Sequence, residues 1–271
     1  MLRNIKRSLI DVLQLPTYWK HGREVRGRMS CSIRRFAYGP HPRQYYLLLE
    51  PEGFAPTAPL SWAFYLHGGA WTFGTPEAFR PAARPWLAQG FRVVLPSYRR
   101  PPRYSLPSIV ADCKSVIAAV AASGMPLSPP QIGGISAGGH LAALMALHPD
   151  WWTAAGWPAG PDRALLCAAP LNLELLRPGR LFRRYADHDP INKLHHAGSL
   201  DWLLLHGTAD GMVDYRHSTS FALRVPDARL LTIPEGGHLD AGRWTYDDRD
   251  PYAGAIADFI RSAAPAPPGP A

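Results

Sequence analysis

Gln131-Ile132-Gly133-Gly134-Ile135-Ser136-Ala137-Gly138-Gly139-His140-Leu141-Ala142-Ala143-Leu144-Met145 joins a short apolar run to a segment with helical spacing, and a serine stands at the junction. Residues 130–135 read as a strand and 137–147 as a helix. Small residues two before and two after the serine, Gly134 and Gly138, let a strand and a helix approach closely around a sharp turn. A serine hydroxyl is a poor nucleophile unless a base takes its proton and the turn exposes its oxygen, so Ser136 is the candidate nucleophile. Taken alone, Gly-x-Ser-x-Gly suits a plain structural turn equally well.

Three further stretches, in one order around this one, change that balance. Upstream, His67-Gly68-Gly69-Ala70-Trp71 follows a strand at 61–66. Glycines there let backbone N–H groups face a developing oxyanion together with the N–H of Ala137, so Gly68, Gly69 and Ala137 are the candidate donors. His67 braces this loop or, with Trp71, walls a substrate pocket; core packing of Trp71 is the competing reading. Downstream, Asp210 lies just past the apolar run Trp202-Leu203-Leu204-Leu205-His206, where a carboxylate can orient a histidine and stabilise its charged form. Asp214, four residues on, competes with it, and Asp210 is preferred as nearer the strand end. His238 follows the strand at 229–233 and the turn Pro234-Glu235-Gly236-Gly237. It is selected among 11 histidines by that placement, because a histidine can carry a proton near neutral pH.

Strand-like runs at 61–66, 91–95, 164–169, 201–206 and 229–233 alternate with helix-like segments at 77–89, 106–122, 137–147, 217–225 and near 252–262. Continuous apolar strands with helices between them predict an α/β fold with a mostly parallel sheet covered on both faces. Residues 32–38 and 44–50, separated by Gly39-Pro40-His41-Pro42, predict an antiparallel pair at one edge. The polar, Arg-rich stretch 172–197 falls where a helix is due, and reads as a lid or pocket wall, or as a surface excursion without a role. Its Arg177, Arg180, Arg183 and Arg184 favour an anionic substrate or form a solvated loop, the second reading being preferred. Trp151, Trp152 and Trp157 line an aromatic pocket or pack in the core.

The chain has 271 residues with a net charge of +8, carried almost wholly by scattered arginines. That length suits one large α/β domain. No basic stripe or nucleic-acid module is present, so no nucleic-acid partner is expected. Cys31, Cys113 and Cys167 are far apart and odd in number, which predicts free thiols and a cytoplasmic setting. His188, Asp189, His195 and His196 lack metal-site spacing, so no metal is expected. Residues 1–30 are read as an N-terminal helical extension, 31–263 as the catalytic domain and 264–271 as a fraying tail. Leu2, Ile5, Leu9, Val12 and Leu13 share one helical face, interrupted by Asp11 and Gln14. That face packs on the domain, with a peripheral membrane contact as the sharper alternative.

These residues resemble the α/β-hydrolase superfamily, and within it the esterase branch with a His-Gly-Gly loop. The likeness extends to Tyr98-Arg99-Arg100-Pro101-Pro102, Leu106-Pro107 and Asp112, similar to a signature between oxyanion loop and elbow in hormone-sensitive-lipase-like esterases. Few residues precede the first strands, and His-Gly-Gly-Ala-Trp differs from the triple-glycine form. Both features point towards the smaller branch of acetyl and feruloyl esterases and kynurenine formamidases. The resemblance implies an α/β-hydrolase fold with a small cap or none, a monomer or homodimer, and no cofactor. It implies a serine hydrolase of small carboxylic esters working through an acyl-enzyme. Amide or formamide cleavage with the same residues is the first alternative, and a catalytically silent binding module the second.

Overall fold

The computed structural model describes residues 2–54, 58–177 and 182–261. The predicted tail at 264–271 and Arg180 lie outside the described residues.

Eight strands form one sheet: β1 (Ser32–Ala37), β2 (Tyr45–Glu50), β3 (Trp62–Leu66), β4 (Arg92–Pro96), β5 (Gln131–Ile135), β6 (Arg163–Cys167), β7 (Asp201–Gly207) and β8 (Arg229–Ile233). Their order is β1-β2-β4-β3-β5-β6-β7-β8. β2 runs antiparallel to β1 and β4, and the pairs from β4 through β8 are parallel. The expected edge pair and parallel body are both present.

Alternation along the strands divides the apolar residues between two cores. Trp62, Phe64 and Leu66 of β3 face a core completed by α3 (Leu106–Ala121), α4 (Ala137–Ala146), α5 (Pro149–Ala154) and Phe221 of α6 (Arg216–Arg224). Ala63 and Tyr65 face the opposite core, with Trp86 of α2 (Arg84–Leu87), Trp244, and Ile256 and Phe259 of α7 (Ala253–Arg261). Parallel strands buried on both faces need this double cover, which explains their unbroken apolar runs.

One segment differs from the sequence expectation. The predicted helix at 77–89 is a 3-10 stretch, Pro76–Ala83, followed by the single turn α2. Pro81 and Pro85 each remove an N–H donor, so a continuous α-helix cannot form there. The N-terminal helix α1 runs through Leu2–Arg26, with Pro16 inside it. One missing backbone bond is outweighed by packing, since Tyr18 and Trp19 sit edge-on against each other and Trp19 edge-on against Phe79. Among its described residues, the stretch 172–197 holds short 3-10 turns, such as Leu173–Leu175 and Arg183–His188.

Candidate active site

Ser136 ends β5 and caps α4 with φ 55° and ψ −127°. A non-glycine residue in this region is strained, and the surroundings hold it there. Its N–H donates to the Cys167 carbonyl at 2.8 Å, and its own carbonyl accepts the His140 N–H at 3.1 Å. The flanking glycines answer to contact distance. A Cβ on Gly134 would lie 2.4 Å from the Gly138 oxygen, and one on Gly138 would lie 2.1 Å from the Leu66 oxygen.

The loop after β3 comes up beside this turn. A Cβ on Gly68 would lie 3.4 Å from the Cβ of Ser136. Gly69, Ala70 and Trp71 all have positive φ, and the Gly69 carbonyl accepts the N–H groups of Thr72 and Phe73 at 2.8 and 2.9 Å. Gly68, Gly69, Ala137 and Ser136 line one cavity. Ala137 is the first residue of α4, so its N–H has no intrahelical acceptor and is available to a ligand.

The signature around Tyr98 supports this loop from behind. The Tyr98 hydroxyl donates to the His67 carbonyl at 3.0 Å, and the two rings stack at 4.4 Å. Arg99 donates to the fully buried Asp112 carboxylate through its backbone N–H at 2.8 Å and its Nε at 2.9 Å. Arg100 donates to the carbonyl of Gly74.

Asp210 and His238 meet at the far ends of β7 and β8. His238 Nδ1 donates to Asp210 Oδ2 at 2.7 Å, and both side chains are buried. Oδ1 of Asp210 accepts the N–H groups of Met212 and Val213, each at 2.8 Å. His206 Nε2 donates to Oδ2 at 3.1 Å, while its Nδ1 pairs with the Ser218 hydroxyl at 2.7 Å. Burial alone would favour a neutral Asp210, but His238 and His206 outweigh it and hold the carboxyl well below its ordinary range. Burial likewise disfavours a charged His238; the Asp210 charge outweighs it and raises the imidazole above its ordinary value. Asp214 faces Arg216 instead, accepting its N–H at 2.9 Å and its Nε at 3.0 Å.

Ser136, Asp210 and His238 thus line the same cavity of about 1170 Å³. Its walls are largely apolar: Val12, Leu15, Tyr18 and Trp19 from α1, Trp71 and Phe73 from the loop after β3, Phe79 from the 3-10 stretch that follows, and Leu175, Leu176 and Phe182 from the stretch 172–197. That stretch is therefore a pocket wall. Arg177 lines the cavity, whereas Arg183 and Arg184 are exposed to solvent.

Three residues expected at the pocket lie elsewhere. Trp152 is fully buried in the core, edge-on to Phe64 and Trp157, with Nε1 donating to the Met145 carbonyl at 2.9 Å. Trp151 stacks on His148 at 4.2 Å, with Lys114 over its ring. Both belong to α5, which packs against α3 and α4. His67 sits behind the loop of candidate oxyanion donors, its Nδ1 donating to the Gly68 carbonyl at 2.8 Å. Burial pushes its pKa down to about 3, so it is a neutral brace.

Other residues at the site carried no clear sequence signal. His206 was read only as the end of an apolar strand. His217 lines the cavity fully buried, its Nδ1 accepting the Asn172 N–H at 3.2 Å. Its Nε2 has no partner among the described residues. Asp11 reaches the site from α1. Among the described residues, no group of three or more His, Cys, Asp or Glu side chains is placed to hold a metal.

The architecture is that of the α/β-hydrolase fold. A family model described as alpha/beta hydrolase fold, Abhydrolase_3, matches residues 63–193. The esterase LipQ of Mycobacterium tuberculosis is 28% identical over 86% of this chain, and the match spans 63% of LipQ's own length. The kynurenine formamidase of Danio rerio is 28% identical over 49% of this chain and 44% of its own. Among solved structures, the apo form of Thermogutta terrifontis esterase 2 superposes with a TM-score of 0.67 at 25% identity, covering 84% of this chain and 90% of that one. The chain has the α/β-hydrolase fold and is similar to these esterases in sequence and structure.

Proposed function

We propose that this protein hydrolyses small carboxylic esters through an acyl-enzyme, with Ser136 as nucleophile, His238 as base and Asp210 as its orienting acid. The observation that carries this reading is His238 held at 2.7 Å by Asp210 within the cavity that the strained Ser136 turn also lines. Because Nδ1 of His238 is engaged by Asp210, Nε2 is the nitrogen left to take a proton.

Ser136 Oγ attacks the ester carbonyl while its proton passes to His238 Nε2. The oxyanion is met by the N–H groups of Gly69 and Ala137, with Gly68 as a third candidate. Collapse of the tetrahedral intermediate breaks the C–O bond, and His238 returns the proton to the departing alcohol. Water then attacks the acyl-enzyme, giving its proton to His238, and the acid leaves as Ser136 is restored. The apolar walls offer room for an aryl or medium-chain arm on either side of the bond.

A p-nitrophenyl ester series from acetyl upward, with Ser136→Ala in parallel, tests the reading. Turnover by the wild type and its loss in the variant are the expected outcome. A wild type that neither turns over esters nor labels with a fluorophosphonate would overturn it. The likeness to a kynurenine formamidase supports a second reading, hydrolysis of an aryl formamide by the same residues. Turnover of N-formylkynurenine far above that of every ester would favour it.

Leu9, Ile10 and Leu13 of α1 are 58%, 54% and 68% exposed, which supports a peripheral membrane contact by this helix. Among the described residues, no helix is long and apolar enough to cross a membrane. Sedimentation with anionic vesicles tests the contact, and a Leu9→Ser, Leu13→Ser double variant should weaken it. Cys31, Cys113 and Cys167 are free, and burial pushes Cys167 up to about 12, which supports a reducing compartment.

A further inference from the structure

Helix α1 places a carboxylate, Asp11, between the two loops that carry the acid and the base. The side chain is buried, with 1% exposure. Oδ1 accepts the backbone N–H of His238 at 2.8 Å, and Oδ2 accepts the backbone N–H of Gly211 at 2.9 Å. Gly211 directly follows Asp210. One carboxylate is thus bonded to the main chain of the base and to the peptide next to the acid. One turn earlier on α1, the Ser8 hydroxyl donates to the Gly211 carbonyl, so that residue is held at both N–H and C=O.

The loops are shaped to admit this approach. A Cβ on Gly211 would lie 2.2 Å from the Ser8 nitrogen, and one on Gly237 would lie 2.3 Å from Asp11 Oδ1. A contact that merely docks a helix does not need a buried carboxylate, which is costly to desolvate. Here the buried charge stands near Asp210, and the group that offsets both is the imidazole of His238. The other charged or titratable groups around the pair are His206 on β7, Asp240 in the turn after His238, and Arg7 on α1.

We infer that Asp11 is a positioning residue for the acid–base pair: it sets the backbone of His238 and of the Asp210 loop, and adds a second negative charge that favours the imidazolium formed when Ser136 is deprotonated. The inference rests on the reading of Ser136, Asp210 and His238 given above. In this arrangement α1 belongs to the active site, and the N-terminal segment completes the proton-transfer machinery besides walling the cavity.

The test is the rate of Ser136 labelling by a fluorophosphonate as a function of pH, which needs no knowledge of the natural substrate. Asp11→Asn removes the charge and turns an amide N–H towards a backbone N–H. The labelling rate should fall about 10- to 100-fold, as expected when a catalytic group is misplaced by an ångström or less. The acid limb should move to lower pH by about one unit, because a negative charge near the imidazolium is lost. Arg26→Ala is the control, since it loosens α1 at its far end, where Arg26 Nη1 donates to the Glu77 carbonyl at 3.2 Å. It should leave both rate and limb unchanged. Should Asp11→Asn fail to fold by circular dichroism, Gly237→Ala displaces the carboxylate from the other side and should slow labelling with the same direction of shift. Wild-type rate and limb in a folded Asp11→Asn, or in Gly237→Ala, would overturn the inference and reduce Asp11 to a helix staple. If wild-type protein does not label at Ser136 at all, the underlying catalytic reading fails and the inference falls with it.

Discussion

The backbone N–H of His238 donates to the carboxylate of Asp11 at 2.8 Å, across 227 positions of sequence. The first helix of the chain is therefore joined to the loop after its last strand, at the residue proposed as the base. The same helix walls the cavity through Tyr18 and Trp19. The proposed chemistry and the enclosure of the cavity thus meet on one element.

Ser136→Ala should remain folded and lose ester turnover by roughly 10⁴-fold or more, as expected when a nucleophile acting in a triad is removed. Initial rates beside circular dichroism spectra check this. A variant retaining near-full turnover would transfer the chemistry to another residue.

Asp210→Asn should lower kcat by about 10⁴-fold, because an amide cannot hold the Nδ1–H tautomer of His238 as a carboxylate does. Asp214→Asn should leave kcat within a few-fold of wild type, since Asp214 pairs with Arg216 and His238 pairs with Asp210. Equal losses in the two variants would contradict the assignment.

The pH dependence of kcat/KM should show an acid limb with its midpoint above 6.5, the ordinary value for an imidazole. Burial opposes a charged His238, but Asp210 outweighs it and the net shift is upward. Only the neutral imidazole accepts the Ser136 proton, so activity is low below this pKa and rises as pH passes through it. In Asp210→Asn burial is opposed only by the more weakly acting Asp11 charge, and the limb of the residual activity should move to lower pH than in the wild type.

Trp152→Ala should cost about 3–5 kcal/mol of stability and leave KM unchanged at a permissive temperature, because the ring lies in the core away from the cavity. Trp71→Ala should alter KM across the ester series, because Trp71 lines the cavity beside the candidate oxyanion donors. Denaturant midpoints and Michaelis curves for the pair separate a packing tryptophan from a pocket tryptophan.

Tyr98→Phe removes the hydroxyl that donates to the His67 carbonyl at 3.0 Å. Leaving that buried carbonyl short of a donor should cost about 1–3 kcal/mol. The loop of proposed oxyanion donors loses its brace, so kcat should fall more than KM rises.

Much of this molecule was legible along the chain because its signals are local. Strand β3 ends where His67 begins and β5 ends where Ser136 begins, and an apolar run closed by glycines marks such an end without knowledge of the rest. The order Ser136, Asp210, His238 follows from the sheet order, because each residue stands just beyond the end of its own parallel strand. Side-chain spacing could also choose Asp210 over Asp214, since distance from the strand end is a property of sequence.

What the sequence determined by itself was thus the set of strand ends, the turn residues that only small side chains permit, and the reactive groups attached to them. Tertiary structure alone decided which distant side chains join those ends. Tryptophans next to one another in sequence are equally hydrophobic wherever they pack, so nothing in the order of residues could send Trp151 and Trp152 away from the cavity or Trp19 into it. Asp11 reads along the chain as an interruption of an apolar face. It becomes a partner of His238 only once α1 lies across the ends of β7 and β8, because a hydrogen bond depends on distance in space and carries no trace in sequence spacing.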